Sequence, residues 1–504
     1  MLAWTIYSSF LGALLLMLLP KNRPQLARGL ALLTALAGLA LALAACFRFQ
    51  PGPQAMEIAS IDWMPQLGIR YHLAADGISL TLVLLTGVAA VAGILFSWNI
   101  EDRVREFFAL YLALIGGVYG VFLSYDVLLL FVFYEIAIIP KYFLIAIWGS
   151  TRREYGAMKL ALYSFVGSAM VLVGIIAAYV VSGAKTTDLV ALAQYSYPLK
   201  LQLWAFPLVF VGFGILAGLW PFHTWAPTGH VAAPTAASML LAGVVMKLGA
   251  YGCLRVAMTL FPRGMDPWKL HVLGLGSWRE VLALLAVIGI VYGAMVALVQ
   301  KDFKFVIGYS SVSHMGFVLL GLMTLTSIGL RGAVLQMFSH GVIAGLLFAV
   351  VGRMVYDRTH TRELPLLQAM GLNRALPFAT VTFIIAGMAS MGLPGFSGFI
   401  AELQVLIGTW QSYPALVFVA GAGILVGVAY TLRAIQMAFF GEAPAPPAAE
   451  HHDLPPISIP ERLGALLLVA ATLVIGLFPS LLMRLIEPSL QSALFQGLNL
   501  GGGQ

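Results

Sequence analysis

Long apolar runs separated by short polar connections make up most of this chain. A helix needs about 20 mostly apolar residues to cross a membrane, and fourteen stretches of the chain approach or exceed that length. They lie near residues 2–19, 27–47, 78–98, 106–124, 127–148, 158–182, 203–219, 232–258, 278–300, 305–325, 328–354, 375–409, 414–440 and 461–486. The pattern predicts an all-α integral membrane protein with about 14 transmembrane helices.

Prolines and glycines interrupt two of these runs. The seventh leads into Trp220-Pro-Phe-His-Thr-Trp-Ala-Pro227, and the twelfth contains Gly392-Leu-Pro-Gly395. Prolines this close together break a helix, and breaks at corresponding places in two halves of a membrane protein indicate a repeat. Because the breaks lie five helices apart, we expect two inverted five-helix repeats, helices 4–8 and 9–13, with helices 7 and 12 broken.

The connections are too short to hold a soluble catalytic domain, so residues 1–504 are expected to form a single membrane domain. Its expected subdivisions are residues 1–104 for helices 1–3, 105–258 for the first repeat, 278–440 for the second repeat, 441–460 for a surface loop, and 461–504 for helix 14 and the tail. The two longest stretches without a predicted helix are 48–77 and 441–460.

Composition agrees with a membrane protein. Of 504 residues, 61% are hydrophobic and 10% charged, with a mean hydropathy of +0.94; a soluble domain carries about 25% charged residues. The net charge of +7 does not indicate a nucleic-acid partner, because the basic residues stand singly between apolar runs. We therefore expect membrane lipid to surround the protein.

The basic residues also predict orientation. Fourteen lysines and arginines follow odd-numbered helices, and eight follow even-numbered ones. Since basic loops stay on the cytoplasmic side, both termini are expected on the outer, periplasmic side of a bacterial inner membrane.

Ionisable residues inside the predicted spans are the candidate chemistry, because a charge near the bilayer centre costs at least about 2.5–3.5 kcal/mol on insertion scales. Glu135 lies in helix 5, Lys247 near the centre of helix 8, and Glu402 just after the break in helix 12. A buried lysine can gain and lose a proton near neutral pH. We interpret the three as proton-binding residues; a structural carboxylate, a snorkelling lysine and a helix-capping acid are the alternatives.

Histidines and further basic residues accompany these three. His314 and His340 lie where they could connect Lys247 to Glu402, and the alternative is that both simply hydrogen-bond within the bundle. His223 stands on the first break and could satisfy the carbonyls that the break frees. The other basic residues inside predicted spans are Lys141, Lys159, Arg255, Arg433 and Arg484.

The sequence indicates no cofactor and no metal on this chain. No Gly-x-Gly-x-x-Gly loop follows a strand, and no Gly-x-x-x-x-Gly-Lys-Ser/Thr loop is present to cradle a nucleotide. Cys46 and Cys253 have no Cys-x-x-Cys partners, so an Fe–S cluster or a zinc site has little support.

Five motifs, in order, resemble a single family. They are DVLLLFVFYEI at 126–136, WPFHTW at 220–225, HVAAPTAAS at 230–238, YSSVSHMG at 309–316 and GLPGFSGFIAE at 392–402. Together they are similar to the antiporter-like membrane subunits of respiratory complex I, the NADH–quinone oxidoreductase, and most to the chain M or subunit 4 type. The resemblance covers essentially the whole chain.

The resemblance implies one proton channel, driven at a distance by quinone reduction in other subunits. By motif, Glu135, Lys247 and Glu402 match the family's proton-path residues, and His314 and His340 its connecting histidines. NADH, FMN, Fe–S clusters and quinone would bind in partner subunits. The implied partners are other membrane subunits, neighbouring antiporter-like subunits among them.

One position departs from the family pattern. A lysine that pairs with the helix-5 glutamate normally stands about five residues before the proline of Pro-x-His-x-Trp, and here that position is Leu216. Either another base replaces it, with Lys159 and Lys247 as candidates, or pumping is altered. The missing lysine leaves a non-pumping structural subunit as one alternative. The others, which do not depend on that lysine, are a cation/proton antiporter subunit with the same fold and no redox coupling, and the ion-translocating arm of a membrane hydrogenase. The sequence does not decide between H⁺ and Na⁺.

Overall fold

The structure is a computed structural model that describes residues 1–266, 275–441, 454–498 and 500. In this part of the chain, helices stand at all fourteen predicted positions. Their bounds are Ala3–Leu18 (α1), Pro24–Arg48 (α2), Gly77–Phe96 (α3), Val104–Leu123 (α4), Val127–Trp148 (α5), Arg153–Ser182 (α6), Leu199–Ala232 (α7), Thr235–Leu260 (α8), Trp278–Val299 (α9), Phe303–Met323 (α10), Ser327–Thr359 (α11), Pro377–Ser390 and Ser397–Ser412 (α12), Pro414–Phe439 (α13) and Ile459–Leu477 (α14).

Twelve of these helices are long and apolar enough to cross a membrane by themselves. The exceptions are α1, with 16 residues, and α12, whose halves have 14 and 16 residues. The all-α membrane fold and the break in α12 are thereby confirmed. The break in α7 is also present, because its regular helix ends at Ala217 and resumes at Trp225.

Two predictions of local structure are wrong in part. The stretch 48–77 contains an antiparallel hairpin of β1, Met56–Met64, and β2, Ile69–Ala75. A search for long apolar runs passes over such short strands. Helix 14 ends at Leu477 rather than near 486, because Pro479 interrupts it before a further helix, Ser480–Ser489.

The proposed subdivision of the chain stays a prediction. Residues 442–453 of the expected surface loop lie outside the described residues.

A backbone clasp joins the start of α5 to the connection that follows α6. Asp126 caps α5 by accepting bonds from the Leu128 and Leu129 amides, both at 3.0 Å. The Val127 amide donates to the Thr187 carbonyl at 2.9 Å.

The same clasp recurs five helices later. Asp302 caps α10 by accepting bonds from the Lys304 and Phe305 amides at 2.8 and 3.2 Å. The Phe303 amide donates to the Arg362 carbonyl, on the connection that follows α11, at 2.8 Å. Helices five crossings apart run in opposite directions through a membrane, so the two clasps lie on opposite faces and the two units are inverted.

The centre of the bundle is formed by α8 and α11. In the most apolar 18-residue stretch of each of these helices, all residues are buried. In the corresponding stretch of α13, only 22% of the residues are buried. Polar groups on α8 and α11 therefore have only other protein groups as partners, whereas the apolar residues of α13 are left to face lipid.

The hairpin is tied to the first clasp by a titratable pair. His72 Nδ1 on β2 lies 2.7 Å from Asp188 Oδ2. The hydrogen bond to Asp188 raises the pKa of His72. Burial raises the pKa of Asp188, but its hydrogen bonds to His72 and to backbone amides outweigh burial and lower the pKa below its usual value.

This pair predicts a pH dependence of the hairpin. The His72 contribution to stability is fully present below its unfolded pKa of about 6.5 and is lost as pH rises through the raised folded pKa. The Asp188 contribution is lost as pH falls through its lowered folded pKa. Hydrogen exchange of residues 56–75, corrected for intrinsic rate, should therefore increase at both alkaline and strongly acidic pH. In His72→Gln the alkaline increase should vanish, and its persistence would contradict this explanation.

Candidate functional site

Lys247 is fully buried on α8 and stands at one end of a chain of polar side chains. Its Nζ donates to the Ala242 carbonyl at 2.5 Å and lies 2.8 Å from His340 Nδ1 on α11. Ala242 belongs to a π-helical stretch, Leu241–Val245, and such stretches often occur at functional sites. Two of the three ammonium donors thereby have partners in a region without lipid or solvent contact.

The chain continues from α11 to α10 and α12. The rings of His340 and His314 are nearly parallel, with centroids 5.6 Å apart. His314 Nδ1 lies 2.9 Å from Glu402 Oε1, and His314 Nε2 lies 3.0 Å from Ser390 Oγ. Gln336 Nε2 also donates to Glu402 Oε1, at 3.1 Å. The structure thus brings together four residues that were predicted from sequence: Lys247, His340, His314 and Glu402.

A small cavity of about 10 Å³ lies between the two histidines and Glu402, with Ser390 in its wall. Such a volume admits about one water molecule. His340 Nε2 has no direct hydrogen-bond partner among the described side chains and backbone. Both histidines and Glu402 thus line one shared space.

The break in α12 folds over Glu402. Gly392 has φ +72°, and a Cβ placed on it would stand 3.1 Å from Glu402 Oε2. A glycine is needed at this left-handed position, and the approach brings the freed backbone of the break next to the carboxylate.

Glu135 lies apart from this chain, on α5. Its Oε1 is buried and has no hydrogen-bond partner within the described ranges. The side chain as a whole is partly exposed.

The two bases considered from sequence as partners of Glu135 make their contacts elsewhere. Lys159 Nζ donates to Thr228 Oγ1 on α7 at 3.3 Å, and Lys247 is bound as described. Lys141, noted from sequence without a role, stands six residues further along α5 and is buried.

His223 is buried and does not join the chain. Its ring packs edge-on against Tyr292, with centroids 5.1 Å apart, and neither ring nitrogen has a partner among the residues that the structure describes. Its predicted role in satisfying freed carbonyls is not seen in these contacts.

Sequence reasoning missed His230 and Lys304. Lys304, counted as a loop charge, is 2% exposed, and its Nζ donates to the Ala233 carbonyl at 3.0 Å. It borders a cavity of about 210 Å³ that Arg353 and Asp357 also line. The buried ring of His230 packs against Trp225 and Phe348, with centroids 5.9 and 5.4 Å away, and neither of its nitrogens has a hydrogen-bond partner among the described residues.

Fold and site together define a polytopic α-helical membrane protein of two inverted five-helix units, with ionisable side chains buried along its centre. Comparison with known proteins agrees. Residues 124–427 match the family described as NADH:quinone oxidoreductase/Mrp antiporter, transmembrane region. The chain belongs to this family, as an antiporter-like membrane subunit of the chain 4 or subunit M type.

Individual relatives cover most of the chain. NAD(P)H-quinone oxidoreductase chain 4 3 of Picosynechococcus sp. is 40% identical over 443 residues, which are 85% of this chain and 78% of that one. NADH-quinone oxidoreductase subunit M of Rhodobacter capsulatus is 37% identical over 452 residues, 87% of this chain and 84% of that one. A chain of respiratory complex I from Thermus thermophilus with bound NADH superimposes with a TM-score of 0.88 at 29% identity, covering 99% of this chain and 100% of that chain.

The contact between α8 and α11 beside Lys247 predicts a sharp difference between two glycines. A Cβ on Gly341 would stand 2.6 Å from the Gly243 carbonyl oxygen and 2.6 Å from Leu85, whereas a Cβ on Gly345, one turn away, would meet nothing nearer than 3.9 Å. Gly341→Ala should therefore destabilise the protein by about 1–3 kcal/mol through overpacking, and Gly345→Ala should not. Thermal unfolding of the two purified variants tests this, and equal melting temperatures would contradict it.

Proposed function

We propose that this chain is the proton-translocating membrane subunit of a complex I type NADH–quinone oxidoreductase. The single observation that carries the proposal is the chain of contacts from Lys247 through His340 and His314 to Glu402. Membership of the family and the similarity to quinone oxidoreductase subunits support the coupling to quinone reduction. NADH, FMN, Fe–S clusters and quinone would be bound by other subunits, so this chain contributes proton transfer alone.

The proposed route starts in the cavity beside Lys304 and runs past His230 to Lys247. The Lys247 ammonium then gives a proton to His340 Nδ1, since 2.8 Å is within reach for direct transfer. Each imidazole accepts a proton on one ring nitrogen and releases another from the opposite nitrogen.

The second half of the route uses the small cavity. His340 releases a proton from Nε2 across the space of one water, and His314 accepts it on Nε2, beside Ser390. His314 then releases a proton from Nδ1 to Glu402, 2.9 Å away. The break in α12 would let Glu402 pass the proton to the opposite face.

We place the chain in a bacterial inner membrane, with neighbouring antiporter-like and other membrane subunits as its partners. Fourteen basic residues in odd-numbered connections against eight in even-numbered ones support a cytoplasmic start of the route and periplasmic termini. The cavity beside Lys304 is on the side of the odd-numbered connections.

Substitution of Lys247 tests the route. In the intact complex reconstituted into vesicles, Lys247→Met should lower NADH-driven proton uptake by about tenfold or more, because a positioned proton-transfer group is lost. Electron transfer to an artificial acceptor should persist. Lys200→Met, at an exposed lysine near the start of α7, serves as the control and should pump normally. Undiminished uptake in Lys247→Met would overturn the proposal and favour a structural subunit.

The second candidate function is a cation/proton antiporter subunit without redox coupling. The matching family includes Mrp antiporters. Purification in mild detergent separates the two candidates. We expect flavin and Fe–S absorbance in the purified assembly. Its absence, with Na⁺-dependent proton exchange in vesicles, would establish the antiporter, and copurified hydrogenase activity would establish a hydrogenase arm.

A further inference from the structure

A buried ion pair lies on the side of Lys247 that faces the even-numbered connections. Arg255, near the end of α8, and Asp76, which caps the start of α3, are 0% and 1% exposed. Arg255 Nη2 donates to Asp76 Oδ2, and Asp76 Oδ1 accepts a bond from the Ser79 amide at 2.9 Å. The proposed proton route uses neither residue. Because a buried ion pair by itself contributes little net stability, this pair calls for a further explanation.

Three aromatic rings surround the guanidinium of Arg255. Its central carbon lies 5.4 Å from the ring centroid of Tyr125, 5.3 Å from that of Tyr251 and 5.4 Å from that of Phe495. Such cation–π contacts favour the charged side chain. Together with the ion pair, they hold a permanent cation at a fixed position beside α8.

The C-terminal segment covers this site from the even-numbered side. The Gly77 amide, at the start of α3, donates to Ser489 Oγ at 2.8 Å. A Cβ on Gly77 would collide with the Leu485 carbonyl, so the helix that follows α14 is in direct backbone contact with α3. Phe495, further along the same segment, packs over the guanidinium of Arg255. The cation is therefore enclosed on this side by protein.

Polar groups lead from Lys247 towards the pair along α8. Tyr251 and Arg255 follow Lys247 at intervals of four residues, which places neighbouring side chains on one side of a helix. The Tyr251 hydroxyl lies 3.1 Å from Ser79 Oγ, which accepts a bond from Arg255 Nη2 at 3.3 Å. Eight residues of helix rise by about 12 Å. A second path from Lys247 thus points to the even-numbered face, and the guanidinium stands across it.

We propose that Arg255 is a proton barrier, which closes this second path and leaves the contact with His340 as the way onward from Lys247. A guanidinium has donors only, and it does not release its proton in the physiological range. A proton passed along the hydroxyls of Tyr251 and Ser79 therefore stops at Arg255. A fixed arginine can also exclude protons by electrostatic repulsion, as it does in selective pores.

This inference rests on the proposed function, because a barrier beside Lys247 matters only if Lys247 carries protons. Pumping raises the proton concentration on the even-numbered side. Without the barrier, those protons could return to Lys247 directly and avoid Glu402 and the two histidines. The barrier would therefore prevent a short circuit of the route.

Passive proton flow tests the barrier. In vesicles that contain the intact complex, with an imposed pH gradient and no NADH, Arg255→Lys should speed the decay of the gradient by about tenfold or more, because an amine can exchange protons. Arg433→Lys is the matched control. Arg433 donates to the Leu298 and Gln300 carbonyls at the end of α9, so this variant should behave as the wild type. Unchanged decay in Arg255→Lys would overturn the proposal.

Two further variants separate a specific path from a leak through loosened packing. When Arg255→Lys is combined with Lys247→Met, the path loses its other end and the decay should return to the wild-type rate. Persistence of the leak in this double variant would overturn the proposal. Asp76→Asn removes the ion pair but keeps the guanidinium, so it should not leak. A leak as large as that of Arg255→Lys would show that packing, rather than the cation, closes the path.

The outcomes distinguish this inference from the proposed function. Normal proton uptake in Lys247→Met removes the route and the barrier with it. Loss of uptake in Lys247→Met, together with unchanged decay in Arg255→Lys, leaves the route and removes only the barrier. If Arg255→Lys fails to assemble, the paired substitution Arg255→Gln with Asp76→Asn leaves no unpaired charge and should leak in its place.

Discussion

The contact between Lys247 and His340 is the constraint on which the centre of the bundle depends. An ammonium group with no access to solvent needs protein partners, and these come from two helices: the Ala242 carbonyl on α8 and the His340 ring on α11. The two helices must therefore approach closely, which requires Gly243 and Gly341 to face each other. Small residues at such a contact let two backbones meet, so the sequence of the central helices is fitted to a buried charge as much as to apolar packing.

The inverted repeat gives the two faces of the molecule the same clasp with different chemistry. In the first clasp, Asp126 Oδ2 accepts bonds from the Thr187 hydroxyl and the Arg70 amide. In the second, Asp302 Oδ2 lies 3.2 Å from Arg362 Nε, and an arginine stays charged throughout the physiological range. The capping carboxylate is thus held by neutral donors on one face and by a cation on the other.

Hydropathy and the positions of proline and glycine predicted the helices, both breaks and the inverted repeat, because apolar length and proline placement are local properties of the sequence. They could not predict which buried charges meet. Helices α8 and α11 are buried on all sides, and such helices have no face that their period can reveal, so the contact between Lys247 and His340 needed three dimensions. Lys304 was misplaced for a related reason. It stands at a helix start, where sequence cannot separate a solvated charge from one that caps a neighbouring backbone.

The contact between Lys247 and His340 joins two different helices, so a small shift of α8 against α11 changes the distance between Nζ and Nδ1 and can interrupt proton transfer. The contact between His314 and Glu402 likewise joins α10 to α12. Both direct contacts of the proposed route therefore cross from one helix to another, and the packing of these helices decides whether a proton can pass.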